Sequence, residues 1–85
     1  MNRTHKLVIL KNNADEIFEG NKTFEIRRND RSFQEGDVVV FKAFEHPEHP
    51  INSIEYEISC VVTESCAEGC GLRNDYVALG LKRLS

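Results

Sequence analysis

Residues 20–31 read GNKTFEIRRNDR, and the placement of this stretch decides the fold. Six of its twelve positions are ionisable: Lys22, Glu25, Arg27, Arg28, Asp30 and Arg31. Phe24 and Ile26 sit among them, two residues apart. Residues two apart on a strand share a face. Thr23–Arg28 is therefore expected to be a strand, with Phe24 and Ile26 toward the core and Thr23, Glu25 and Arg27 on the opposite face.

The flanks extend the pattern. Lys6–Leu10 (KLVIL) is a short apolar run suited to a buried first strand. In NNADEIFEG, Asn13 is the expected N-cap, with Glu16 three residues on as in a capping box and Gly20 as the stop. That predicts a helix of about two turns with Ile17 and Phe18 inward, too short to be stable without packing. RNDRSFQEGD carries turn chemistry. Val38–Phe41 is a β-branched run and reads as a strand. HPEHPINS holds both prolines and reads as a loop. Ile54, Tyr56, Ile58, Cys60 and Val62 alternate with Glu55, Glu57, Ser59, Val61 and Thr63 along a long strand. Tyr76–Leu84 places Val77, Leu79 and Leu81 on one face of a last strand. The order is strand, short helix, four strands. The expected class is mainly β (α+β): a small barrel-like sheet with one helix after the first strand, which manages the sheet edges best.

The 85 residues fit one domain, 1–85. No apolar run approaches the ~18 residues a membrane span requires. The N-terminus lacks the length and cleavage site of a signal peptide, so a soluble, cytoplasmic protein without membrane partners is expected. The net charge of −3 argues against strong non-specific nucleic-acid binding. The charge is uneven, however. Lys22–Arg31 holds four basic residues and two acids, whereas Glu45–Glu68 holds six acids and no Lys or Arg. The basic segment is locally attractive to an anion.

Lys22, Glu25 and Arg27 converge where the helix hands over to the strand. A carboxylate there can accept hydrogen bonds from a base edge or a nucleoside hydroxyl, and the cations can hold a phosphate. The plainer alternative is a solvent-exposed ion pair worth under about 1 kcal/mol.

GNKTFEIR resembles the G-x-K-x-x-E-x-R signature of ASCH-type domains in the PUA-like superfamily. The likeness is closer still to a small bacterial and phage family there that carries G-[RK]-K-T-F-E-I-R-x-N-D-R-x-F-x-x-G-D. The matching positions are Gly20, Lys22, Thr23, Phe24, Glu25, Ile26, Arg27, Asn29, Asp30, Arg31, Phe33, Gly36 and Asp37. His5, Leu7 and Ile9 resemble the family's opening, and Gly71, Leu72, Tyr76, Val77 and Leu79 its close. The resemblance implies a PUA-like pseudobarrel of about five to six strands. It also implies a cleft for RNA or a modified nucleotide or nucleoside, lined by Lys22, Glu25 and Arg27. The resemblance further implies a second polar set of Asn29, Asp30 and Arg31 at the strand's exit and places His5 near the cleft. For that trio, turn-forming backbone bonds are the alternative. Some ASCH-type relatives are amidohydrolases of acetylated cytidine that look like they use a Lys, a Thr and a distant Glu. Here Lys22 matches the Lys, but Glu25 stands at the Thr position, and Thr23 is out of register. The expectation leans to binding over catalysis, with hydrolysis or a protein-interaction role for the acidic stretch as alternatives.

No cofactor or metal is expected, and a monomer is assumed. Three cysteines, Cys60, Cys66 and Cys70, fit reduced thiols. His46-x-x-His49 with these cysteines lacks the ligand pairing of a structural zinc site. By strand parity, Cys60 is expected to be a small buried hydrophobe. Phe41, Phe44 and Tyr56 are expected in the core or on the barrel surface, and Phe33 in either the core or the site.

Overall fold

The computed structural model describes residues 2–63, 71–73 and 75–84. It opens with a strand, Thr4–Ile9 (β1), whose burial alternates so that His5, Leu7 and Ile9 point inward. A helix, Lys11–Phe18 (α1), follows directly. Then come strands Phe24–Arg28 (β2) and Val38–Ala43 (β3). A 3-10 turn, Pro50–Ser53, lies within the stretch read as loop. Two long strands, Glu55–Thr63 (β4) and Tyr76–Arg83 (β5), complete the chain.

The five strands form one sheet in the order β1-β3-β4-β5-β2. β1 pairs parallel with β3, and the other pairs are antiparallel. β1 and β2 are thus the two edges. The sheet curls until these edges face each other, and side chains, not a backbone ladder, span the gap. Arg27 Nη1 donates to the Val8 carbonyl at 3.1 Å, and Arg31 Nη1 donates to the Lys6 carbonyl at 2.9 Å. Lys6 and Val8 lie two apart, so their carbonyls point to the same side of β1. The result is a half-barrel latched at its seam by two guanidinium groups, and the mainly β architecture with one helix after the first strand stands.

The concave side holds the core. Leu7, Val39, Phe41, Ile58, Val77 and Leu79 are buried there, with Ala14 and Ile17 of α1 packed on them. Burying a side chain such as Phe41 or Leu79 contributes roughly 1.5–3 kcal/mol. Phe33, on the turn after β2, is also core, whereas Phe44 is exposed.

Three sequence expectations are corrected. Phe24 and Ile26 point outward, 45 % and 50 % exposed, while Glu25 is only 6 % exposed on the concave side. The parity was right and the facing inverted. Assigning apolar residues inward assumes an apolar interior. At this edge the interior side carries the polar groups that close the seam. Second, Asn13 is not the N-cap. The helix begins three residues earlier, with Leu10 at the cap and no side-chain cap bond. Third, Cys60 is exposed. A register shift between Ile58 and Cys60 breaks the alternation and turns the thiol outward.

Gly80 of β5 faces that bulge. A Cβ there would lie 2.7 Å from Cys60 Sγ and 2.8 Å from Ser59 Oγ. Gly80→Ala is expected to cost about 1–2 kcal/mol by overpacking. Combining it with Ser59→Ala and Cys60→Ala should recover most of that loss in urea denaturation. Equal losses in the single and triple variants would place the strain elsewhere.

Candidate functional site

The junction is built by the end of α1. Gly20 adopts φ +84°, a conformation open to glycine at little cost. Its N–H bonds the Ile17 carbonyl, and the N–H groups of Asn21 and Lys22 both bond that of Glu16. The helix carbonyls are thereby satisfied, and the chain turns back so that Lys22 lies against the helix flank. Lys22 Nζ donates to Asn13 Oδ1 at 3.1 Å and to Glu25 Oε1 at 3.2 Å. It also sits 5.5 Å from the centre of the Phe24 ring. Arg27 Nη1 reaches Glu25 Oε2 at 3.4 Å as well as the Val8 carbonyl. One buried carboxylate is therefore clamped by two cations, each about a quarter exposed or less, which tie α1, β1 and β2 together. This is not the exposed pair of the plainer reading. Asn13, read as a helix cap, is part of the cluster.

The other candidate residues separate. Asn29 Oδ1 accepts from the Phe33 N–H at 3.3 Å and shapes the turn. Asp30 is exposed and lies 3.8 Å from Arg31 Nε. Arg31 latches the seam. These three act on the turn and the β1 edge and make no hydrogen bond to the Glu25 clamp. His5 is buried with its ring 4.8 Å from that of Phe33, and its Nε2 is 2.8 Å from Asp37 Oδ2. Asp37 also accepts from the backbone N–H groups of Arg3 and Gln34, both at 3.1 Å. Burial works to raise the Asp37 pKa. The bonds from His5, Arg3 and Gln34 outweigh it and hold the carboxyl below its ordinary value. This is a structural knot joining β1 to the start of β3.

His49 makes a second knot. Its Nδ1 accepts from the Ile51 N–H, which leaves the proton on Nε2, 2.7 Å from Asp15 Oδ1. His46 pairs with Glu48. No group of three or more metal-ligating side chains occurs among the described residues. Cys66 and Cys70 lie outside the described residues, as does part of the acidic stretch Glu45–Glu68.

Sequence reasoning missed what lies on the far side of Lys22. A cavity of about 240 Å³ opens between the end of α1 and the ends of β4 and β5, lined by Phe18, Gly20, Lys22, Tyr56, Leu81 and Arg83 among others. The Arg83 guanidinium lies 5.3 Å from the centre of the Phe18 ring. Tyr56 is buried, and its hydroxyl has no hydrogen-bond partner among the described residues. Burial pushes the Tyr56 pKa up, against the opposing effect of the Arg83 charge. The signal was present in part: Arg83 shares the parity of Leu79 and Leu81 on the last strand. A wider, more open depression of about 360 Å³, bordered by Glu35, Glu57, Ser59 and Lys82, has no comparable buried, unpartnered group.

A curled five-stranded half-barrel with a polar clamp at its helix–strand junction defines a small β-barrel-like domain. The chain belongs to the DUF3850 family, described as a domain of unknown function, whose model matches residues 4–81. Its fold is similar to that in the crystal structure of hypothetical protein PH0355, with a TM-score of 0.66 over 95 % of this chain and 99 % of that one. At 12 % identity, this likeness concerns the fold alone. No curated protein matches the chain. No helix among the described residues is long and apolar enough to cross a membrane.

Proposed function

We propose that the protein is a PUA-like, ASCH-type binding module that recognises a nucleotide or nucleoside, free or within RNA, at the Lys22–Glu25–Arg27 junction. One observation carries this reading: Glu25 is a carboxylate 6 % exposed on the concave face of an edge strand. A buried ion pair there is weak evidence for stability, since apolar residues of similar volume often serve as well. Recognition gives it a use. A carboxylate offers about four lone-pair sites, and its two cation contacts leave acceptor capacity for the N–H groups of a base or the hydroxyls of a ribose. The G-x-K-x-x-E-x-R resemblance supports the same class of ligand. Hydrolysis is less well supported, because both Glu25 oxygens face cations and no hydroxyl nucleophile stands at the matching position.

Calorimetry with nucleosides, nucleoside monophosphates and short single-stranded RNA tests the proposal. Lys22→Ala is expected to weaken binding about tenfold, the scale of one charge-assisted hydrogen bond. Its circular dichroism should remain that of the folded protein. If the wild type binds none of these ligands at millimolar concentration, the proposal fails.

A further inference from the structure

Lys22 is common to the Glu25 clamp and to the cavity behind it. Two of its three N–H donors are engaged, by Asn13 and Glu25. The third has no hydrogen-bond partner among the described residues. Across the cavity stand Arg83, laid on Phe18, and Tyr56 with its unpartnered hydroxyl. A buried hydroxyl without a partner costs about 1–3 kcal/mol. Such a group calls for an explanation in terms of function or an additional partner. The carbonyls of Glu16 and Ile17, the negative end of α1, are already covered by backbone N–H groups. Among the described residues, exposed Glu19 is the one carboxylate on the cavity wall, which also carries Lys22 and Arg83.

We infer that this cavity is an oxyanion site that holds the phosphate of the bound nucleotide, with Lys22, Arg83 and Tyr56 as donors. The inference rests on the nucleotide reading for the identity of the anion's carrier. The arrangement supplies an ammonium from the turn after α1, a guanidinium from β5 and a neutral hydroxyl from β4, a donor set suited to phosphate oxygens. The Tyr56 hydroxyl is covered in this conformation, so its use requires that exposed Arg83, its cross-strand neighbour, exchange its present contacts for the anion. Burial keeps the phenol protonated, so it enters as a donor.

The test follows backbone amide shifts by NMR in the full chain, using inorganic phosphate, then a nucleoside, then its 5′-monophosphate. Phosphate is expected to move the amides of Gly20, Thr23, Tyr56, Leu81 and Arg83 saturably, with a Kd of order millimolar. Arg83→Gln should weaken phosphate about tenfold and Tyr56→Phe about fivefold. Lys82→Gln, on the opposite face of the same strand, should leave it unchanged. Tyr56→Phe removes an unsatisfied group, so its fold is expected to persist. Absence of saturable shifts, or equal phosphate affinity in wild type, Arg83→Gln and Tyr56→Phe, overturns the inference. A nucleoside that moves Glu25 and Ile26 while phosphate moves nothing also overturns it, but leaves the proposed function standing. Phosphate that binds with the expected variant losses, while neither the nucleoside nor its 5′-monophosphate moves the amides of Glu25 and Ile26, supports the anion site and sinks the nucleotide reading alone.

Discussion

Asp37→Ala is expected to remove about 3–5 kcal/mol of folding stability. The carboxylate is 2 % exposed and serves three donors at once: the His5 ring and the N–H groups of Arg3 and Gln34. Alanine leaves an imidazole nitrogen and two backbone N–H groups without their acceptor. Each is worth about 1–3 kcal/mol where water cannot replace it, and Arg3 retains some access to water. A domain of this size has a total margin of about 4–13 kcal/mol, so the variant approaches the unfolding threshold. Urea denaturation at neutral pH is the direct measurement, and a loss below about 1 kcal/mol would show that the knot is dispensable.

The same carboxylate sets an acid limit. Its folded-state pKa lies below its ordinary 3.8. In the unfolded chain it takes up a proton first as pH falls. Its contribution is therefore fully present above about pH 4 and is lost as pH drops below 3.8 toward the folded-state value. Asp37→Asn should flatten the stability profile in that window. An unchanged acid slope in this variant would assign the effect to other carboxylates.

The second large effect is expected at Glu25. Glu25→Ala leaves Lys22 and Arg27 facing each other without a counterion. Removing one partner of a buried ion pair typically costs 3–5 kcal/mol. Here the cations are 21 % and 27 % exposed and can be partly rehydrated, so about 2–3 kcal/mol is expected. The informative companion is the triple variant Lys22→Met, Glu25→Leu, Arg27→Met. Replacing the entire cluster with apolar side chains is expected to restore stability to within about 1 kcal/mol of the wild type. Under the proposed function it should also abolish nucleotide binding. A triple variant as unstable as Glu25→Ala would mean that the ionic clamp itself holds the fold.

Much of the architecture was legible because it rests on local periodicity. The strand at Val38, the long strand ending at Thr63 and the last strand follow from alternation, and the helix from its spacing and from Gly20. The facing of β2 was not legible from alternation alone. Period two fixes which residues share a face and is silent on which face looks inward. The resemblance grouped Lys22, Glu25 and Arg27, and in the structure the Glu25 carboxylate contacts both cations. Cys60 was misplaced because a bulge shifts parity without a marker in its own strand. The marker lies across the ladder, at Gly80. Asn13 was missed because the reversal at Gly20 brings Lys22 back onto the helix, and Tyr56 and Arg83 because the curl of the sheet carries them to the end of α1. Curl brings residues far apart in sequence together and leaves no spacing rule to read.

The seam gives the molecule an uneven internal fastening. Between β1 and β2 the native state is held by two guanidinium-to-carbonyl bonds and the Glu25 clamp, not by a ladder of amides. These two bonds are solvent-exposed, so each contributes only about 0.5–1.5 kcal/mol. Parting this edge therefore requires far less work than melting the sheet, and it exposes the inner side of β2 while β3, β4 and β5 stay paired. In native-state hydrogen exchange, the seam would form a separate opening unit with its own free energy, below that of global unfolding. A domain built this way keeps one hinge line in an otherwise continuous wall. The residues that fasten that line also include Arg27, one of those proposed to recognise the ligand.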